Sequence, residues 1–469
     1  MPITGAVMMP HPPLIIPQVG RGQEKGIAAT TESMQTAAGF LAALRADTVV
    51  VISPHATAYA DYIHISPGKH AAGDFGRFGA REVRVAVDYD EAFANTLSAL
   101  CGQQGVSAGT EGEREPALDH ATMIPLYFIQ NAITGNQSKE TNQPKAVRIG
   151  IAGLPPEEHY RLGMLIRQTA DQLGRRTVVV ASGDLSHKLK ADGPYGLSPD
   201  GAVYDRRIME VMGRGAFGEL FDFPESLCTA AAECGHRSFV MMAGCFDGIG
   251  VQAEMLSYEG PFGVGYGVCT FLPGEADPSR RFLARHQEAV TQKAAEARAG
   301  EDVYVRLARQ SFTAWVTEHR RIPVPDGLPP ELLARRAGVF VSLHKAGQLR
   351  GCIGTIAPTQ ASVAEEIIQN AVSACAQDPR FSPVRPEELA AIECSVDVLG
   401  EAEPIDSMDA LDVQRYGVIV TSGHKRGLLL PALDGVDTVA QQVDIARRKA
   451  GISTHESLSL ERFEVIRHH

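Results

Sequence analysis

No two of the eight cysteines form a CxxC pair, and no CxxxCxxC cluster occurs anywhere in the 469 residues. The first absence excludes a cysteine-only zinc site and argues against a dense disulfide framework. The second excludes the iron–sulfur chemistry of a radical-SAM enzyme from this chain. No apolar run is long enough to span a bilayer. The opening MPITGAVMMPHPPLIIP lacks the basic n-region of a signal peptide, and prolines interrupt its apolar stretch. The expected setting is therefore reducing and cytoplasmic. Basic charge is not in excess: the formal net charge is −12. That argues against nucleic acid and against anionic membrane as partners. Internal repeats and long low-complexity tracts are also missing.

What is present is ordinary globular material, 44% hydrophobic and 21% charged, with enough length for two or three domains. Through about residue 273, short apolar strands alternate with helical stretches. The strand candidates are 48–53, 62–66, 83–87, 147–152, 177–181 and 264–272, and the helix candidates include 157–173, stopped by Gly174, and 202–213. Such alternation predicts an α/β layer fold over 1–273, with ligands near strand ends. Residues 274–300 are rich in alanine and charge and read as a partly helical linker. From 301 to 469 the pattern changes to a separate α+β domain. Tyr304, Leu307, Ala308, Ser311, Phe312 and Trp315 recur at helical spacing as core, and 339–354 reads as a hairpin turning at 345–348. Ser362 and Glu365 open a helix as a capping box.

Histidines recur at turns in the first domain. TVVVISPHATAY runs four buried-type residues into Ser53-Pro54-His55, and Pro54 stops the strand, so His55 is delivered to a strand end. His11 lies in MMPHPPL, His120 in LDHATMIPLYF and His187 in ASGDLSHKL, while AAAECGHRSF offers Glu233, Cys234 and His236. Two neutral imidazoles and a carboxylate can hold a divalent metal on one face and leave the other open, the arrangement of non-haem Fe(II) oxygenases. A further, unligated histidine suits proton transfer near neutral pH. His64 and His70 lie near His55 and are alternative partners. His159 and His236 read as structural, and Asp184 and Ser186 either orient His187 or cap the next helix.

HPPL at 11–14, SPH at 53–55, DHATMIPL at 119–126, SGDLSH at 182–187 and ECG at 233–235 occur in this order. Together they resemble the LigB-type catalytic subunit of class III extradiol ring-cleavage dioxygenases and the related Memo-like proteins, over most of 1–273. The resemblance implies a central mixed sheet flanked by helices, with His11, His55 and Glu233 as metal ligands. It further implies His187 as catalytic acid/base and His120 as a hydrogen-bond donor to substrate oxygen. Fe(II) is the implied cofactor, and a catechol-like small molecule the implied substrate. Memo-like relatives carry a cysteine in the ligand segment, so Cys234 stands as the alternative ligand, with copper or zinc the alternative metals.

In the second domain, LRGCIGT at 349–355, DPRFSPVRPEEL at 378–389 and GLLLP at 427–431 resemble the AMMECR-type domain over roughly 301–466. Cys352 reads either as a nucleophile activated by Arg350 or as a small buried hydrophobe with Arg350 in an ion pair, and the second reading is preferred. The pairing of the two domains resembles the AmmeMemoRadiSam set, which implies a radical-SAM protein as partner. A homodimer is the expected oligomer.

Overall fold

The computed structural model describes residues 2–135, 143–433 and 435–469. The chain divides into two compact units, Met1–His286 and Gln287–His469.

In the first unit, six strands form one sheet: β1 (Ile3–Met9), β2 (Thr48–Ile52), β3 (Lys145–Ile149), β4 (Thr177–Ser182), β5 (Ile249–Glu259) and β6 (Tyr266–Ala276), in the order β3-β2-β4-β1-β6-β5. The first four are parallel, and β6 and β5 join antiparallel. The sheet is thus mixed, as the sequence implied. Successive residues of a strand point to opposite faces, and here both faces are covered. Ala6, Met8, Val50 and Ile52 enter one apolar cluster, while Val7, Met9, Val49 and Val51 enter the other. That double burial explains why β2 and β4 are continuous β-branched runs rather than alternating ones. Helices α1 (Ala28–Ala43) and α3 (His120–Gly135) cover one face, and α2 (Glu91–Gln104), α4 (Pro156–Gln172) and α6 (His236–Gly244) the other. Helix α5 (Pro199–Arg214) also packs on the second cluster.

Two strands of this sheet escape the sequence reading. β1 is a central strand, buried at six of its seven positions, yet ITGAVMM has only two β-branched aliphatic residues besides its threonine and lies in a proline-punctuated opening. β5 is an edge strand with a mostly half-exposed pattern, so no apolar run marks it. The segment expected as a linker, 274–300, holds the end of β6, one 3₁₀ turn at Pro278–Arg280 and helix α7 (Phe282–Gly300).

The second unit is a seven-stranded antiparallel sheet with helices α8 (Val303–Glu318), α9 (Val363–Ala376) and α10 (Val439–Lys449). Its first hairpin pairs β7 (Val339–Lys345) with β8 (Gln348–Gly354) through Ala346 and Gly347, both with positive φ (53° and 75°). A two-residue turn of that hand matches the twist of the strands. Ser362 accepts the Glu365 N–H at the start of α9, as its cap. Among the described residues, no helix is long and apolar enough to cross a membrane.

Helices α4 and α6 meet through glycines. A methyl group on Gly163 would collide with the Met241 carbonyl, and one on Gly244 with that of Tyr160. Gly163→Ala is therefore expected to cost about 1–3 kcal/mol as overpacking. Gly102→Ala in α2, where a Cβ meets nothing, is expected to gain up to about 1 kcal/mol. Urea unfolding of the two variants should shift the midpoint in opposite directions.

Candidate metal centre

The parallel strands end on one side of the sheet, and their exits carry the histidines. His11 follows β1 and His55 follows β2. Gly183 to His187 follow β4, and His120 is the first residue of α3. Ligands collect at such carboxyl ends because the diverging loops leave a crevice there.

His11, His55 and His120 each place a ring nitrogen within 4.8 Å of the other two. The ring centroids are 5.0 Å (His11–His55), 5.4 Å (His11–His120) and 4.5 Å (His55–His120) apart. His11 is buried, His120 half-buried and His55 exposed, so the trio opens to solvent on one side. Three imidazoles this close cannot all be charged. Burial, with the other histidines as neighbours, holds His11 well below the usual imidazole range. Burial and then His55 bring His120 down to about 4. Burial lowers His55 as well, against the pull of Asp119. Neutral imidazoles are the form that binds a metal.

One tautomer is fixed by hydrogen bonding. The Ser182 hydroxyl donates its single proton to the Ala121 carbonyl at 2.7 Å. It must then accept from His11 Nδ1–H, 3.0 Å away. This leaves His11 Nε2 with a free lone pair. The Asp184 carboxylate takes the His11 backbone N–H at 2.7 Å. Asp119 fixes the other two histidines. Its Oδ1 accepts from Ser53 Oγ at 2.6 Å and from the Thr122 N–H at 2.9 Å, and its Oδ2 accepts from Thr122 Oγ1 at 2.7 Å. The same Ser53 oxygen receives the His55 N–H at 3.2 Å. Behind Asp119 lies Arg148, a fully buried arginine, with Nη1 3.8 Å from Asp119 Oδ2 and Nη2 3.3 Å from Glu113.

The structure brings four of the five residues singled out from sequence into one neighbourhood and turns the fifth away. His187 lies close enough for its charge to act on His11 and on His55. Its Nδ1 is buried without a hydrogen-bond partner, and the Tyr195 ring meets it edge-on at 5.2 Å. Glu233 is not in the imidazole group. Its Oε2 accepts the His236 N–H at 2.6 Å, at the start of α6, and burial pushes its carboxyl up to about 7. The neighbouring thiol faces the site instead: Cys234 Sγ is 3.6 Å from His11 Nε2 and accepts the Asp184 N–H at 3.3 Å. Glu233, expected as a ligand, thus lies outside the imidazole trio, and Cys234 is the side chain of that segment in contact with His11. Gly183 and Gly235 make the arrangement possible, because a Cβ on either would strike the other's backbone or Phe239. His120, expected to touch substrate, stands among the metal-capable nitrogens.

Sequence reasoning missed Ser53, Asp119, Ser182 and Arg148. Asp119 alone left a signal, since Asp-His-Ala-Thr is the pattern of an acid accepting from the third residue of a helix. Of the alternatives, His70 is exposed and pairs with Asp88. His64 is buried with both ring nitrogens unpartnered. His159 and His236 are buried and engage backbone carbonyls, as structural histidines do. In the second unit Arg350 forms two bonds to Glu388, at 3.1 and 2.9 Å. Cys352 accepts from Ser342 Oγ, and burial raises its thiol. The structural reading of LRGCIG fits these contacts.

Residues 5–269 match the family described as the catalytic LigB subunit of aromatic ring-opening dioxygenase, and residues 305–468 match the AMMECR1 family. A Clostridium acetobutylicum protein is 39% identical over 486 aligned positions, covering 100% of this chain and 99% of that protein. A Thermotoga maritima protein is 47% identical over 171 positions, 36% of this chain and 98% of its own length. An uncharacterised Pyrococcus horikoshii protein of known crystal structure aligns with 35% of this chain and 88% of its own, at 30% identity and a TM-score of 0.33.

Asp119→Ala removes the acceptor shared by the His55 and His120 turns. It is expected to weaken divalent-metal affinity about 10–100-fold, read by competition with a chromophoric chelator. Because the imidazoles are already neutral, with His120 at about 4, protons should not compete until low pH. Metal affinity of the unaltered protein is expected to stay nearly flat from about pH 8 to about pH 6, where ordinary histidine ligands of pKa near 6.5 would already be losing theirs.

Proposed function

The chain belongs to the LigB family, with an AMMECR1 domain fused behind it, and from that premise we propose that it is a metal-dependent oxidoreductase of the extradiol-dioxygenase type, acting on a catechol-like small molecule. The observation that carries this reading is the convergence of three neutral imidazoles at the carboxyl ends of parallel strands, with His11 Nε2 left unprotonated by Ser182. The donor set fits a divalent transition metal: nitrogen ligands, an open side, and a second layer that fixes tautomer and orientation. Fe(II) is the proposed metal. When bound, it would supply positive charge and open positions for a substrate oxygen and dioxygen.

The remaining roles fall to the chain. His187 is not part of the imidazole trio and is neutral at physiological pH, because burial lowers its pKa. A neutral imidazole can take the proton of a substrate hydroxyl and later return it. The His187 backbone N–H is tied to the Ala231 carbonyl at 3.0 Å, which holds the ring in place while the proton moves. The Phe78 ring lies against His120, with centroids 5.4 Å apart.

A second reading has its own observation. Cys234, not Glu233, presents its ligand atom to His11, and a thiolate with imidazoles suits copper or zinc better than Fe(II) oxygenase chemistry. On that reading the protein is a Memo-like metal-binding redox accessory, working with a radical-SAM partner.

Anaerobic metal titration of Cys234→Ser and Glu233→Gln separates the two. The first reading expects stoichiometric Fe(II) in both variants and oxygen uptake with simple catechols. Loss of copper or zinc in Cys234→Ser alone, without oxygen uptake by the unaltered protein, would move the assignment to the second. Under the first reading, His187→Ala should retain its iron and lose turnover by about 10²–10⁴-fold; unchanged turnover would remove the proton-transfer role.

A further inference from the structure

The turn that presents His187 is gripped by a buried acid from outside the imidazole trio. Residues 185–189 run beside 263–265. Leu185 N–H donates to the Gly265 carbonyl at 2.9 Å, Gly265 N–H to the Ser186 carbonyl at 2.8 Å and Leu189 N–H to the Gly263 carbonyl at 3.0 Å. The Ser186 hydroxyl donates to the Ala231 carbonyl at 3.0 Å. Each of these bonds joins neutral groups.

The Ser186 N–H differs. It donates to Asp205 Oδ1 at 2.7 Å, and both residues are fully buried. Asp205 comes from α5 and forms no ion pair among the described residues. Its Oδ2 accepts from the Tyr258 hydroxyl at 2.8 Å. Tyr258 stands on β5, 43% exposed, with that hydroxyl turned inward. Glycines close the gap around the carboxylate. A Cβ on Gly265 would lie 2.0 Å from Asp205 Oδ2, and one on Gly201 of α5 would lie 2.5 Å from Ser186 Oγ. The helix and the His187 turn therefore meet with no room for a side chain between them.

A buried carboxylate without a cation is costly to keep. Burial pushes Asp205 up to about 6, against the Ser186 N–H and the Tyr258 hydroxyl, which both favour its charge. The titratable groups facing it are Tyr258 from β5 and Tyr204 from its own helix. Leu185, Ser186 and Gly265, from the two segments packed on it, bring none. What the charge supplies is grip, because a charge-assisted hydrogen bond is roughly twice as strong as a neutral one.

We propose that Asp205 is a positioning residue: through Ser186 it sets the turn that carries His187, and Tyr258 steadies it by occupying its second oxygen. The inference rests on the proton-transfer role given to His187 above. It adds a means of regulation to the same site. The grip is full above about pH 6, where Asp205 is ionised, and weakens as acid protonates it below.

Amide hydrogen exchange of the intact chain tests the grip, read by mass spectrometry on peptides ending on either side of Ser186. Rates at each pH are compared with the intrinsic chemical rate. In the unaltered protein, protection of the Ser186 amide is expected to fall about tenfold as the pH drops through about 6, the difference between a charged and a neutral acceptor. Asp205→Asn, neutral and of the same shape, should show the lower protection at every pH and no step. Tyr258→Phe keeps the carboxylate but removes a donor that favours its charge, so the step should move to higher pH. A step absent from the unaltered protein, persisting in Asp205→Asn or unmoved in Tyr258→Phe overturns the proposal. Oxygen uptake with simple catechols then reads His187. Asp205→Asn should lower kcat about tenfold at neutral pH, with KM and iron content unchanged; an unchanged kcat overturns the positioning role. If the unaltered protein takes up no oxygen, the dioxygenase reading fails by itself, and the exchange result still decides whether Asp205 holds the turn.

Discussion

A single buried carboxylate holds the metal centre in register. Asp119 accepts from Ser53, which fixes the turn carrying His55, and from the N–H and hydroxyl of Thr122, which fix the helix carrying His120. The two turns are 65 residues apart in sequence (120 − 55), and Asp119 is an acceptor they share. Behind Asp119 stands Arg148, which is itself tied to Ser66, Ala117 and Glu115. A buried guanidinium is tolerable because nearly every N–H has a partner. The arrangement makes the histidine geometry a property of the fold's interior rather than of mobile loops.

Desolvation then sets the chemistry. Burial lowers His11, His55 and His120 below the usual imidazole range, and they would repel one another if charged. The same burial acts in the opposite sense on acids, raising Asp184 and Glu233 to about 7. The site is a set of neutral imidazoles beside carboxyls that burial makes reluctant to ionise. A divalent cation is the charge that such a set accepts most readily.

The two units divide their polar interiors differently. In the first, buried polar groups gather at the carboxyl ends of the sheet's parallel strands. In the second, the motif most distinctive in sequence, LRGCIG, does structural work. Arg350 grips Glu388, and Gly351 lets β8 lie against the Ala374 carbonyl of α9. Among the described residues of that unit, the buried side-chain atoms without a partner lie elsewhere, at Glu301 Oε2 and Gln442 Oε1.

The sequence by itself determined the layer class of each unit and which turns carry imidazoles. Strand runs, prolines and glycines act locally, and a Ser-Pro-His after four apolar residues has few ways to fold. It left β1 and β5 hidden, because a central strand of small residues and a half-exposed edge strand lack the periodicity that betrays their neighbours. It also left open which of Glu233 and Cys234 would face His11. Adjacent residues on an irregular turn differ only in direction, and direction was decided by the close approach of Gly183 to Gly235, from segments 52 residues apart (235 − 183). Only tertiary packing could make that choice, since it depends on steric contact between backbones that are not neighbours in the chain.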